Sequence, residues 1–451
     1  MKRALYTGLA SLISLAYDKF TGRNLHGCRN ILEKTQWMKT EELRQLQLLK
    51  LKVLLRHAYE NVPYYHESFK KNGFRPDDLN RLEDIHRVPV LKRSELRLKS
   101  TELLARNAKK ADLVPCETSG TTVTSVKFYQ DKTEATWDMA AELRGFGWAG
   151  YKTGAKLAFV RRIRPGDVLA SAKFKLECLV NRWKLLNAYY LSERSMASFS
   201  SKMHKFKPEY VLGATAPINI FAVFLLGNSQ YKIRPKAVFT YAETLLPHYR
   251  RTIEEAFKCK VHDVYGSSEM FHVAAQCGWH EGHHITEENV LVETEKDGET
   301  AVPGEEGKVL LTNLNGFAMP FIRYDIGDRG KMFADECSCG RGLPLFRPIG
   351  RTNEYFVHSD GTFSLFHDLK TVFENLPIED YQIVQPSYDE IIIRVVKRAG
   401  YTQAHTDFIL RNIGKRIADI AKVKVELVDS LPMTGFGKIP HFVSKIPTRY
   451  T

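Results

Sequence analysis

The chain of 451 residues is 43% hydrophobic and 26% charged, enough apolar material for a large core in more than one domain and too much for a disordered chain. Its formal net charge is +14, and the excess sits at the ends, with 11 basic against 5 acidic residues in Met1–Glu60 and 11 against 4 in Ile392–Thr451. Seven cysteines in so long a chain exclude a disulfide scaffold, and no apolar run reaches the ~20 residues that span a bilayer.

Ala4–Tyr17 follows Lys2 and Arg3 and is the nearest approach to a signal-peptide core, but no small-residue cleavage site follows it. It reads as an amphipathic surface or packing helix. A peripheral membrane contact stays open on an otherwise cytoplasmic protein. Glu41–Asn72 is helical in pattern, with Leu43, Leu46, Leu49, Val53 and Leu54 at helical spacing and a break at Asn61-Val62-Pro63. From Lys156 to Asn313 short apolar runs alternate with helical patterns: Lys156–Val160, Tyr210–Leu212, Ala237–Phe239, Lys260–Val264 and Lys308–Asn313. That alternation predicts an α/β sheet core. The last segment predicts a separate α+β unit, with strands at Tyr381–Val384, Glu390–Val396, Val423–Val428 and His441–Lys445 and a helix at Gln403–Ala421. The fold expected is therefore α/β, a large N-terminal domain over residues 1–349 and a small α+β domain over 350–451.

Five motifs carry the chemistry. In Glu117-Thr-Ser-Gly-Thr-Thr122 a glycine between hydroxyl residues can turn N–H groups and hydroxyls onto phosphate oxygens; alone it is more often an ordinary polar loop. Val264-Tyr-Gly-Ser-Ser-Glu-Met270, after Asp263, ends a strand at a glycine and offers an aromatic for a base and a carboxylate for Mg²⁺. Arg323-Tyr-Asp-Ile-Gly-Asp328 and Gly350-Arg-Thr-Asn353 offer an Asp for a ribose diol and an Arg for a charge-assisted bond; the bland reading of each is a turn with a capping Asp or a surface Arg. Pro432-Met-Thr-Gly-Phe-Gly-Lys438 puts a Lys on a glycine-flanked tip, either a mobile point charge or a solvated hairpin residue.

In this order and spacing the motifs resemble the adenylate-forming superfamily, more closely the phenylacetate–CoA ligases and their capsule-biosynthesis relatives. Tyr59-Glu-Asn-Val-Pro-Tyr-Tyr65, Pro76–Leu79, Leu91–Leu96 and Tyr241-Ala-Glu-Thr244 match that family, and the likeness runs from about residue 40 to 445. The resemblance implies a large nucleotide- and acyl-binding domain and a mobile C-terminal lid. It implies a ligase that activates a small carboxylic acid with ATP and Mg²⁺ as acyl-AMP, then transfers it to CoA, with an amine as the alternative acceptor. By resemblance Ser119, Gly120, Thr121 and Thr122 cradle the phosphates. Ala242 and Glu243 line the adenine pocket, Tyr265 stacks on the base with Asp263, Gly266 and Ser267 beside it, and Glu269 holds Mg²⁺. Asp328 and Arg351 hold the ribose, Lys438 bridges the acyl carboxylate and the α-phosphate, and Asn353 is the hinge. Val123 stands where the family often has Gly, Asn353 where Asp or Lys is common, and Tyr241 where the family has Gly. These departures keep open a member that binds nucleotide without turnover.

Cys277, His284, Cys337 and Cys339 supply three thiolates and an imidazole, a set suited to a closed, structural zinc site, and similar ligases carry this pattern here. His280 and His283 compete with His284 as ligand. A basic, zinc-stapled nucleic-acid binder is the rival class, but it has no use for Glu269 or Lys438 in these contexts, so no nucleic-acid partner is expected. The acid itself is not named by any motif; Phe128, Tyr129, Trp137 and Trp148 are candidate pocket aromatics, each more often a core residue.

Overall fold

The computed structural model describes residues 18, 23–117, 127–161, 163, 172–188, 190–349, 355–357, 363–365, 372–373, 376–417, 421–432 and 442–446. The Ala4–Tyr17 segment lies outside them. No helix of the described residues is long and apolar enough to cross a membrane.

Helix Thr40–Asn61 stops at Val62, and Pro63 opens helix Pro63–Lys71, where a missing N–H costs nothing. Its buried face is Leu43, Gln47, Leu51, Leu54, Leu55 and Ala58. Leu49 and Val53, expected on that face, are exposed. The apolar pattern misleads because Gln47 belongs to the face. Its amide is buried by donating to the carbonyls of Glu287 at 3.0 Å and Val290 at 3.1 Å.

Strands β1 (Leu113–Glu117) and β2 (Lys127–Asp131) form an antiparallel pair. The main sheet begins with β3 (Leu157–Arg161) and β4 (Trp183–Asn187). After the two-residue β5 (Tyr190–Leu191) it takes in β6 (Tyr210–Ala214), β7 (Ala237–Tyr241) and β8 (Lys260–Tyr265). Strands β8-β7-β6-β3-β4 lie side by side and parallel. Alternation along β3 sends Ala158 and Val160 to one face and Leu157 and Phe159 to the other. The first face packs on helices Glu193–Phe206, Thr215–Gly227 and Pro247–Phe257. The second is roofed by helix Lys132–Gly147, whose Phe146 ring lies 4.2 Å from Phe239. Four of the five sheet strands expected from sequence are these parallel ones, found within two residues of their expected ends.

The sheet continues antiparallel through β9 (Ala274–Gln276) and β10 (His283–Ile285), then β11 (Val290–Lys296), β12 (Glu299–Thr300), β13 (Gly307–Asn313), β14 (Tyr324–Met332) and β15 (Leu345–Ile349). Its order is β12-β11-β13-β14-β15-β10-β9-β8-β7-β6-β3-β4. The sequence pattern shows β13 but not β9 to β12, which are short or half-polar. Arg323–Asp328, whose bland reading is a turn, is mostly strand. Its turn character survives locally, since Arg323 has φ 47°, Gly327 has φ 76°, and Asp325 Oδ1 accepts from the Gly327 amide at 2.9 Å.

A fully buried ion pair holds the roof helix in place. Arg144 gives Glu288 two bonds, 2.7 and 3.2 Å, and a third to the Leu32 carbonyl at 3.1 Å; Thr35 adds a hydroxyl bond to Glu288. Removing one partner strands the other charge in the core. Glu288→Ala is therefore expected to cost about 3–5 kcal/mol, measured as a fall in denaturation midpoint.

Past residue 350, β16 (Tyr355–Val357) and β17 (Phe363–Leu365) form a hairpin that pairs with β5, Phe363 opposite Leu191. Then β18 (Ile378–Ser387), β19 (Glu390–Lys397), β20 (Lys422–Leu427) and β21 (Phe442–Ser444) make a four-stranded sheet in the order β20-β19-β18-β21. Helix Gln403–Ile417 carries the chain from β19 to the parallel β20. Ile383, Ile391, Ile393, Ile409 and Ile413 bury a core of their own.

Candidate active site

The C-terminal ends of parallel strands are where open α/β sheets bind ligands. Here the ends of β3, β6, β7 and β8 open into a cleft of about 970 Å³, closed by helix Lys132–Gly147 and by β14 and β15. Ala242 and Glu243 after β7, Asp263 and Tyr265 in β8, Gly266, Ser267 and Glu269 in the next loop, and Asp328 in β14 all line it. Eight residues scattered over 87 positions thus share one cavity. Ser119, Gly120, Thr121, Thr122, Arg351, Asn353 and Lys438 lie outside the described residues.

The loop after β8 explains its own sequence. A Cβ on Gly266 would sit 2.1 Å from the Phe271 carbonyl oxygen, so only glycine fits. The Ser267 hydroxyl accepts from the amides of Glu269 at 3.2 Å and Met270 at 3.0 Å, and the Ser267 amide donates to the Met270 carbonyl. Glycine and serine therefore fix the backbone that carries Glu269.

The Glu269 side chain is 4% exposed. Its Oε1 accepts from the Tyr324 hydroxyl at 2.9 Å and lies 3.6 Å from the Arg93 guanidinium. No motif points to either partner, although Arg93 lies in the Leu91–Leu96 stretch and Tyr324 in the Arg323–Asp328 motif. The two stretches meet because Leu91 bridges β14, its amide donating to the Arg323 carbonyl at 3.1 Å. Buried Arg323 binds this junction together. It bonds Glu293 at 3.0 and 3.2 Å and the carbonyls of His86 and Val88 at 3.0 and 2.8 Å. Arg323 thus sets where Arg93 stands, which no local pattern reveals.

Tyr265 ends β8 and donates to Asp328 Oδ2 at 3.1 Å, so the aromatic and the carboxylate assigned to base and ribose are joined. Ala242 holds φ 67°, a left-handed conformation unusual for a residue with a side chain and of the kind found at binding sites. Glu243 Oε2 accepts from the Ala216 amide at 2.7 Å, placing its charge at the positive end of helix Thr215–Gly227. Asp263 has both oxygens engaged, Oδ1 by Thr240 at 2.6 Å and Oδ2 by His283 Nε2 at 3.0 Å. His283 is therefore spoken for on this side of β10.

Its neighbour His284 faces the opposite way, as alternation in a strand requires. The ligand atoms of Cys277, His284, Cys337 and Cys339 all lie within 4.8 Å of one another. Cys277 and Cys337 sulfurs are 3.6 Å apart, and Cys339 Sγ is 3.3 Å from His284 Nε2. A tetrahedron with metal–sulfur bonds of about 2.3 Å has edges near 3.8 Å, so the spacing suits one divalent ion. His284 Nδ1 lies 3.1 Å from the Leu343 carbonyl, which leaves Nε2 as the ligand atom. His284 rather than His280 or His283 completes the set.

None of Phe128, Tyr129, Trp137 and Trp148 lines the cleft. Phe128 is core, and Trp148 packs against His284 at 5.3 Å beside the cysteine cluster. Besides Tyr265, the aromatics that face the cavity are Phe146, Tyr151, Phe159, Trp183, Tyr241 and Phe271. Arginines 93, 161, 250, 251 and 347 also line it, a supply of cations for phosphate oxygens.

The family model of the CapK C-terminal domain matches residues 356–445. Protein CapK of Staphylococcus aureus is 25% identical over 423 residues, 88% of each chain. A phenylacetate-coenzyme A ligase of Aromatoleum evansii is 28% identical over 339 residues, covering 72% of this chain and 74% of that one. Among solved structures, 2-hydroxyisobutyryl-CoA ligase in complex with 2-HIB-AMP and CoA in the thioesterification state shares the fold. Its TM-score is 0.67 at 20% identity, over 92% of both chains. The α/β architecture, the motif residues that share one cleft and these likenesses agree: the chain is similar to CapK and to the phenylacetate–CoA ligases over most of its length, has the fold of the 2-hydroxyisobutyryl-CoA ligase and ends in a CapK C-terminal domain.

Proposed function

We propose that the protein activates a carboxylic acid with ATP as its acyl-AMP and transfers the acyl group to CoA. The observation that carries this reading is the convergence, in one cleft, of the joined Tyr265–Asp328 pair with a Glu269 already aimed by Tyr324 and Arg93. In the first half-reaction the acid's carboxylate oxygen bonds to the α-phosphorus, and the bond from that phosphorus to the bridging oxygen breaks as pyrophosphate leaves. In the second the thiol sulfur gives up its proton to solvent and bonds to the acyl carbon, and AMP leaves with the electrons of the carbon–oxygen bond.

Tyr265 offers a ring for the base, and Asp328, oriented by the Tyr265 hydroxyl, accepts from the ribose. The cleft arginines hold phosphates. Glu269 fits a magnesium ion, since that ion is usually held by one or two carboxylates plus substrate phosphates. Only its Oε1 is engaged by Tyr324 and Arg93. Magnesium so held would neutralise charge on the phosphoryl oxygens. Lys438 supplies a second positive charge at the α-phosphate, and the unit past Asn353 swings to withdraw it before thiol attack. Cys277, His284, Cys337 and Cys339 would hold a structural zinc, which would staple the β9–β10 turn to the loop before β15.

The test is a separation of half-reactions. Lys438→Ala is expected to slow acid-dependent pyrophosphate release by about 10²–10³-fold, the cost of losing one preorganised charge. Thioester formation from supplied acyl-AMP is expected to stay within about threefold of wild type, because in this scheme the lysine acts in the first half-reaction alone. Equal loss in both halves would overturn this assignment, and no pyrophosphate release from a folded wild-type protein with any acid would overturn adenylation itself.

A further inference from the structure

The cleft has a second end that the nucleotide chemistry does not use. Between β8 and β3 stand β7 and β6, which sets the strand ends about 14 Å apart. At the β3 end the sheet contributes Leu157, Phe159 and Leu212, and the roof helix contributes Leu143 and Phe146. Tyr151 and Trp183 complete an aromatic wall that suits a ring and offers phosphates little.

Into these apolar surroundings the roof helix places Glu142, one turn before Phe146. Burial pushes its carboxyl up to about 7, with the Arg161 charge the opposing influence, and no hydrogen bond from the described residues relieves it. Arg161, the last residue of β3, lies over the Phe159 ring at 5.4 Å. A carboxyl in such a site accepts hydrogen bonds whether or not it is ionised, and leaving it without a donor is costly. Partly exposed to the cleft, the carboxyl offers an acceptor to whatever occupies this end of it.

We infer that Glu142 selects acids whose aromatic body carries a hydrogen-bond donor, an amino or hydroxyl group, at the end remote from the reacting carboxylate. The inference rests on the adenylation reading for which end of the cleft receives the carboxylate. Glu142 is a specificity residue in this scheme and stands about three strands away from the phosphoryl chemistry. A site built to bond a substrate O–H or N–H discriminates strongly against the analogue lacking it, because its own polar group is then stranded.

The experiment uses the full chain and four probes: phenylacetic acid and its ring-amino, ring-hydroxy and ring-carboxy derivatives. Binding is measured calorimetrically without ATP, and pyrophosphate release with ATP, for wild type, Glu142→Gln and Glu142→Leu. Melting temperatures check that the variants fold. The expected result is that wild type binds the amino and hydroxy acids at least tenfold more tightly than the unsubstituted one. Glu142→Leu should bring that ratio to within twofold, and Glu142→Gln should keep the hydroxyl preference better than the amino one. Equal binding of all four, no binding of a donor-bearing acid, a preference for the ring-carboxy acid, or a ratio unchanged in folded Glu142→Leu would each overturn the inference. Pyrophosphate release without discrimination overturns this inference alone. Discrimination in binding without pyrophosphate release overturns the adenylation reading and leaves the role of Glu142 standing.

Discussion

Glu269→Gln is expected to reduce acid-dependent pyrophosphate release by about 10²–10³-fold and to raise the magnesium concentration needed for half-maximal rate. The glutamine amide can still accept from the Tyr324 hydroxyl, now 2.9 Å from Glu269, so the loop keeps its anchor. What is lost is the negative charge, and with it the ligand for a hard cation and the partner of Arg93 at 3.6 Å. Tyr324→Phe makes the contrast. It keeps the charge and removes only the bond that aims it, so a loss of about tenfold is expected, with little change in magnesium dependence. A rate within tenfold of wild type for Glu269→Gln, at every magnesium concentration, would remove Glu269 from the metal site. Circular dichroism and melting temperature separate this from unfolding, since Gly266 and Ser267 still set the turn.

The contrast between Glu269 and Arg93 shows what a sequence can and cannot reveal. Glu269 sits three residues past a strand-ending glycine, in a loop whose glycine and serine have local reasons to be there, so a short motif points to it. Arg93 reaches the same carboxylate only because Leu91 bridges β14 and Arg323 ties residues 86 and 88 to β11. That contact spans more than 170 residues of chain, and no local pattern encodes it. The parallel strands were legible for a similar reason. Buried on both faces, β3, β6 and β7 read as continuous apolar runs, whereas the edge strand β4, with only Leu186 fully buried, is not among the expected strands. Strands such as β10, His283–Ile285, are three residues of mixed character and carry no period to detect.

The same reasoning covers the cavity's aromatic end. Trp137 and Trp148 stand out in the sequence by size alone, yet helix Lys132–Gly147 turns Glu142 and Phe146 toward the cleft. Which residues of a helix face a site follows from how that helix lies on the sheet. Here the buried Arg144–Glu288 pair helps fix that, and its two members are 144 positions apart in the chain.

Removal of the proposed zinc is expected to have the second large effect, and one that reaches the active site. Cys339→Ser should lower bound zinc, read by elemental analysis, from about one equivalent to near none. Structural zinc contributes apparent binding energies of about 10–16 kcal/mol in small domains, comparable with the whole stability of an ordinary protein. A fall in melting temperature of many degrees should therefore follow. The consequence for activity comes through β10. His284 faces the cysteines, while the adjacent His283 holds Asp263 at 3.0 Å in the wall of the cleft. The loop before β15 is also engaged, since Arg341 bonds Gln36 at 2.9 Å and lies 4.8 Å from the Trp148 ring. Without the metal, the short ladders of β10 with β9 and β15 and the weak thiol and imidazole hydrogen bonds are left to hold these strands, and Asp263 is expected to lose its fixed partner. Adenylation should then fall together with zinc content in a chelator titration, before the protein unfolds. A wild-type protein that purifies without metal yet melts as Cys339→Ser does would show that the cluster is held by packing alone. Zinc loss without any loss of adenylation would break the proposed link through His283.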